Sequence, residues 1–243
     1  MAIIVPSGKR VVPRVAINGR SNNNYRTANP GGAAGSSTMS FYAVCEILRD
    51  PGSTLEYIFA RNTGVNSGWR IYLQNSLIVA DVANSTPALV TASISNANFI
   101  RVPLIILVTY VNGVITMWIN GIQQSTATLG AGFTSVSNAT SIGCRSDGGS
   151  NNPLTDAYVA EVGMFQGTDL TATALAQSQT WMEDLQQGRY LTAPSAVVNS
   201  DFMWSARDAI AGNYGKVSFV DRISSSTMTR TNLPQAAQIM PRF

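Results

Sequence analysis

Apolar and polar positions alternate most regularly over residues 105–124, IILVTYVNGVITMWINGIQQ. Two Asn-Gly pairs, Asn112-Gly113 and Asn120-Gly121, interrupt runs of high β propensity. Asn-Gly supplies the two positive φ angles of a type I′ turn, so the first pair predicts a two-residue hairpin. That turn dictates register: Val111 faces Val114, Tyr110 faces Ile115, Val108 faces Met117 and Ile106 faces Ile119. The last three pairs make one almost wholly apolar face. The opposite face pairs Thr109 with Thr116 and Leu107 with Trp118, and is mixed. One face therefore belongs in a core, and the other is half wet or covered by loops. The second Asn-Gly turns the chain out of its strand toward Ile122.

Other stretches read as strands on the same grounds. Residues 39–48 alternate Phe41, Ala43, Cys45 and Ile47 against Ser40, Tyr42, Val44 and Glu46, and Asp50-Pro51-Gly52 turns the chain. Residues 55–61 form a second strand, and 69–73 with 77–82 form a hairpin joined at Gln74-Asn75-Ser76. Residues 140–144 and 157–165 follow, while 84–92 have no clear assignment. A single helix is expected after Thr168, capped by Asp169 or Thr171. Its stripe of Ala174, Leu175, Ser178, Trp181, Met182 and Leu185 packs on the body, and Gly188 ends it. Residues 201–208, 216–223 and 228–231 resemble further strands. The expected fold is an all-β antiparallel sandwich with one short helix and extended terminal arms. Residues 1–38 read as a basic N-terminal arm and 39–192 as the sandwich. Residues 193–243 read as C-terminal strands and a tail, which either complete the sandwich or begin a small module.

Composition sharpens this. Charged residues make up only 12%, about half the usual share. Asn, Ser, Thr and Gly take their place, as suits a turn-rich β protein with an exposed virion or extracellular surface. The net charge of +3 is uneven: Lys9, Arg10, Arg14, Arg20 and Arg26 all precede the first acid, Glu46. The segment is read either as an assembly arm docking on a neighbouring subunit or as an edge strand with a long loop. Its charges are widely spaced and accompany one aromatic, Tyr25, which disfavours nucleic acid and favours an acidic protein surface.

There is no histidine, so His-based acid–base chemistry, the usual zinc ligand sets and a Ser-His-Asp triad are absent. Cys45 and Cys144 are the only cysteines. One bridge is open, but the count fits buried free thiols better than a disulfide-dense scaffold. The apolar run at 102–111 is too short to span a bilayer and contains Pro103, so no membrane insertion is expected. No signal peptide is visible at the start, and synthesis in a host cytoplasm is expected.

A strand, a turn and then a strand ending Trp118-Ile119-Asn120-Gly121 resembles the hallmark hairpin of concanavalin A-like (laminin G-like, LamG) jelly-roll domains. Residues 41–47, 68–73, Ser141-Ile142-Gly143, and 157–165 followed by 170–175 resemble other strands and the short helix of that family. The resemblance covers about residues 39–187 and implies a concanavalin A-like sandwich. Residues 201–232 resemble strands that often open such a domain, here placed last.

Some relatives are glycoside hydrolases that carry paired carboxylates on one strand. Here no two of the thirteen acids lie two residues apart, and the adjacent pair Glu183-Asp184 sits in the helical segment. No catalytic residues are assigned and no enzyme activity is expected. No cofactor is expected other than a candidate Ca²⁺ site. Many relatives hold calcium at the sandwich rim, and Asp147, Asn151, Asn152 and Asp156 offer oxygens in or beside one loop. The same residues also favour turns in their own right. Glycan binding needs an exposed aromatic plate beside amides. Trp69 with Asn62 and Asn66 is the first candidate and Trp118 the second, with core packing the competing role for each tryptophan. The sequence thus reads as a non-enzymatic bacteriophage virion protein: a capsid decoration, head-fibre or tail-associated protein on the virion surface. Its expected partners are other virion subunits, with copies of itself, and cell-surface or environmental glycans. A free glycan-binding lectin or adhesin is the alternative, and a hydrolase on the same fold the third.

Overall fold

A computed structural model describes residues 15–17, 25–27, 36–62, 67–83, 88–94, 98–129, 133, 136, 139–145, 152–154, 156–167, 169–170, 202–205, 218–220 and 227–230. The strands in them are β1 (Val15–Ile17), β2 (Tyr25–Thr27), β3 (Thr38–Ile47), β4 (Glu56–Asn62), β5 (Gly68–Gln74), β6 (Leu77–Ala83), β7 (Ala88–Ser93) and β8 (Pro103–Val111). They continue as β9 (Val114–Ile119), β10 (Ile122–Thr128), β11 (Thr140–Ile142), β12 (Ala157–Gln166), β13 (Phe202–Ser205), β14 (Ser218–Val220) and β15 (Thr227–Arg230). Among the described residues there is no helix, and the helical expectation for 171–187 falls outside them.

Two antiparallel sheets result. The first runs β1-β12-β3-β8-β9-β10, with β13 also paired to β12; the second runs β14-β15-β2-β11-β4-β5-β6-β7. The protein is thus an all-β sandwich. Tight turns built by Asn do much of the connecting. Asn112 and Gly113 have φ of 48° and 89°, Asn120 and Gly121 50° and 80°, and Asn75 and Ser76 54° and 58°. Positive φ at both central residues matches the twist of the strands each turn joins. The β8–β9 register is the expected one throughout, from Val111↔Val114 to Ile106↔Ile119. The second Asn-Gly does more than redirect the chain. It closes another hairpin, Ile119↔Ile122, and a bulge between Gln123 and Ser125 then shifts β10 by a residue. Strand β10, IQQSTAT, has no alternation from which that could be read.

Ile106, Val108, Tyr110, Ile115, Met117 and Ile119 all lie in the core between the sheets. The other face of the hairpin is not half wet. Leu107, Thr109, Thr116 and Trp118 are buried as well, so this pair of strands is buried on both sides.

Parts of both termini are woven into the sheets. β1 pairs with β12, and β2 lies between β11 and β15. Residues 15–17 and 25–27 are therefore sheet strands, not a detached arm, because their backbone groups complete ladders that β12 and β11 leave open. Arg26 sits in β2, opposite Ser141 and Thr229. Lys9, Arg10, Arg14 and Arg20 lie outside the described residues. β13 pairs with β12, and β14 and β15 pair with each other beside β2.

Candidate functional site

Trp69 does not form an exposed plate. It is fully buried, on the inner side of β5, with its ring centroid 5.0 Å from Phe41 of the facing sheet and 4.8 Å from Phe59. This aromatic trio bridges the two sheets, so Trp69 is a core residue and not a sugar platform. Asn62 is also fully buried, paired with Gly68 at the end of β4–β5. A Cβ on Gly68, whose φ is +84°, would run into the Arg61 carbonyl oxygen. Asn66 lies outside the described residues. Trp118 is 5% exposed, on the outer side of the first sheet beside Leu107 and Gln123. Its Nε1 is buried with no hydrogen-bond partner among the described residues.

The rim residues are held by a protein cation. Arg49 donates from Nη2 to Glu56 Oε1 at 2.7 Å and from Nε to Asp156 Oδ2 at 3.1 Å. Asp156 and Asn152 both have positive φ, 52° and 57°. Their carbonyls accept from Leu48 and Tyr57 N–H respectively. Asn and Asp tolerate that conformation, and the turn needs them for it. Asp147 and Asn151 lie outside the described residues. Among the described residues no group of three His, Cys, Asp or Glu side chains could hold a metal ion. A calcium ion at Asp156 would have to displace the Arg49 guanidinium.

Charge, aromatic rings and an unused polar atom coincide on the outer face of the second sheet. Alternation along β5 sends Trp69, Ile71 and Leu73 inward and Arg70 and Tyr72 outward. Cross-strand pairing then builds two outer rows. One runs Tyr57, Tyr72, Val79, Thr91; the other runs Ala60, Arg70, Asp81, Leu89. The first two tyrosines are 5.8 Å apart, and the Arg70 guanidinium carbon lies 5.1 Å from the Tyr72 ring centre. Arg70 Nε and Nη2 both reach Asp81 Oδ2 at 2.6 Å, and Nη1 lies 3.4 Å from the Tyr57 hydroxyl. Both contacts fall on one carboxylate oxygen. Asp81 Oδ1 is buried and has no hydrogen-bond partner among the described residues.

Burial pushes the Asp81 carboxyl above the usual carboxylate range, and Arg70 opposes that shift without cancelling it. Burial also works against the Arg70 charge, yet Asp81 more than compensates and leaves its pKa raised. The short double contact favours a charged pair at neutral pH, with the carboxylate as the less comfortable half. Burial, with help from Asp81, pushes the Tyr72 hydroxyl well above the usual phenol range, so it stays a neutral donor. The cluster is enclosed at its centre, where Tyr57 and Asp81 are buried, but opens along β7, where Leu89 is 45% exposed. From sequence, Arg70 and Asp81 are unremarkable charges eleven residues apart; only the Asn75-Ser76 turn puts them opposite one another.

On the first sheet the Tyr42 hydroxyl donates to Glu161 Oε1 at 2.8 Å. The Tyr42 ring lies where a Cβ on Gly163 would be. Asp81, Glu56, Asp156 and Glu161 are therefore each engaged by Arg or Tyr.

No protein-family model matches the chain, and no curated protein matches it. Among solved structures, a Bacteroides ovatus ATCC 8483 protein described as a "putative carbohydrate binding protein" is 14% identical. That similarity covers 96% of this chain and 61% of the other, with a TM-score of 0.64. The botulinum neurotoxin type G receptor-binding domain is 12% identical over 60% of this chain and 38% of its own, with a TM-score of 0.47. The serotype D binding domain is 14% identical over 62% and 37%, with a TM-score of 0.49. The chain thus spans less than two fifths of those toxin structures and about three fifths of the Bacteroides protein. The full-length likeness places the chain among β-sandwiches of that architecture.

Proposed function

We propose that this protein is a non-enzymatic, glycan-recognising β-sandwich displayed on a bacteriophage virion as a capsid decoration, head-fibre or tail-associated protein. The observation that supports glycan recognition is the outer face of the second sheet. It sets tyrosine rings beside a guanidinium that a buried carboxylate holds in place, on a fold shared with a protein described as a "putative carbohydrate binding protein". Sugars offer apolar ring faces to aromatic side chains and hydroxyls to a few fixed polar groups. The glycan would lie along β7, over the exposed Leu89 and Thr91, with Tyr72 at its inner edge and the buried Arg70–Asp81 pair fixing that ring from behind. The engaged state of Asp81, Glu56, Asp156 and Glu161 favours binding over hydrolysis, because glycoside cleavage needs two carboxyls facing one bond. The low charge and the Asn-, Ser- and Thr-rich composition support the virion setting.

A glycan array probed with the purified protein tests the binding. Saturable binding to at least one glycan class, lost in Tyr72→Ala while the fold is retained, is the expected result; an empty array overturns it. Antibody against the protein should label intact particles of the phage whose genome encodes it. Glycan binding without particle labelling would favour a free lectin instead.

A further inference from the structure

The edge of the first sheet carries a feature that the glycan reading does not use. No Asp, Glu, Lys or Arg occurs between Arg101 and Arg145, and that uncharged stretch forms β8 to β11. Within it β10 is the terminal strand of its sheet. Proteins protect such edges with charge, proline or a covering element, because free N–H and C=O groups can pair with another chain. Strand β10 has neither charge nor proline, and Ile122 at its start is 67% exposed.

The free backbone groups can be located. The two-residue turn at Asn112-Gly113 makes Val111↔Val114 a hydrogen-bonded pair, so alternate residues Val114, Thr116 and Trp118 bond toward β8. Ile115 and Met117 then bond toward β10, onto Ala127 and Ser125. The next bond in the ladder, Leu129 N–H to Gly113 O at 2.6 Å, agrees. Thr126 and Thr128 therefore direct their N–H and C=O away from β9, along the open edge.

The adjacent edge of the second sheet is managed differently. The Ser125 hydroxyl donates to Thr91 O at 2.9 Å and accepts from Thr91 N–H at 2.7 Å, taking the place of a neighbouring strand for β7. Strand β10 shields β7 in this way, and among the described residues no strand pairs with its own outer edge. Beyond its bulge, Ser125–Thr128 is in regular register with β9, so the open edge is straight where it is free.

We infer that β10 is a self-association edge, at which two copies of this chain pair their β10 strands antiparallel about a two-fold axis near Thr126. A second copy fits better than a different partner. The edge offers backbone groups and uncharged side chains, Thr and Gln with Ile122 at its start, and so no charge pattern for a foreign strand to match. An antiparallel pair about a two-fold is self-complementary by symmetry, with Thr facing Thr across the axis. The contact is short, so the association should be weak and useful chiefly where many copies are displayed together.

Sedimentation velocity over a concentration series tests this directly. The intact protein should shift from monomer to dimer across the micromolar range. Thr126→Lys, which sets like charges opposite each other at the axis, should weaken dimerisation by roughly tenfold or more. Thr128→Lys, at a fully peripheral position, should weaken it in the same direction and guards against misfolding of the first variant. An intact protein that stays monomeric throughout overturns the inference, as does dimerisation unchanged in both folded variants. Glycan-array results are independent of either outcome.

Discussion

Arg70 and Asp81 neutralise each other inside the outer face of the second sheet, and neither is tolerable there alone. Arg70→Met, which keeps the length and removes the charge, should cost about 3–5 kcal/mol because it strands a buried carboxylate. Urea unfolding measures this, and a loss under about 0.5 kcal/mol would sink the claim. Adding Asp81→Leu should recover much of the loss. The pH dependence follows from the sign of the Asp81 shift. Its native pKa lies above the unfolded value and would rise further without Arg70. Its stabilising contribution is thus complete below the unfolded pKa of about 3.9 and lost as pH rises through the native pKa. The Arg70→Met defect should therefore shrink as pH is lowered from 7 toward 4. The cysteines make a second residue-level case. Both are buried thiols outside any disulfide, and burial, with Glu46 adding to it, pushes the Cys45 thiol up to about 12. Neither should react with a thiol reagent until the protein unfolds, when both should be titrated. Modification of either thiol at the rate of a free peptide would contradict the structure.

At the scale of elements, the β8–β9 hairpin shows how much a turn can specify. Asn112-Gly113 allows one register, and a one-residue slip would move Met117 and Val108 from the core to the outer face. Met117→Ala should cost about 2–5 kcal/mol by chemical denaturation, as a large-to-small change in a packed core. A cost no larger than that of a surface substitution would mean that Met117 is not in the core. Trp69 teaches the converse. Its neighbours Asn62 and Asn66 resembled a sugar site along the chain, but alternation along β5 turns the indole toward Phe41. The outward residues Arg70 and Tyr72, one and three positions further along, carry the polar chemistry instead.

At the scale of the molecule, both termini take part in the sheets. β2 is the strand through which β15 and β14 join the second sheet, and β1 lies beside β12. Deleting residues 1–38 should therefore destabilise the whole protein, not release an intact sandwich. A loss of about 3 kcal/mol would lower the melting midpoint of a chain this size by roughly 6–12 °C, and calorimetry should find at least that. An unchanged midpoint would show that the segment is dispensable to the fold.

What the sequence determined by itself was local: strands at 39–48, 55–61, 69–82, 105–119 and 157–165, the hairpin register, and the six-residue apolar face of β8 and β9. Turn chemistry and side-chain alternation are short-range, and they act the same way in any fold. Only the tertiary structure decided which strands neighbour one another across long stretches of chain: β3 beside β12, and β2 between β11 and β15. It also decided that the mixed face of the hairpin is buried. The Tyr57–Arg70–Tyr72–Asp81 cluster depends on the same information, since its members come from three strands and meet only through cross-strand pairing. Backbone ladders join any two strands equally well, so nothing local in β2 or β10 states its partner. That choice is made by the packing of the whole sandwich.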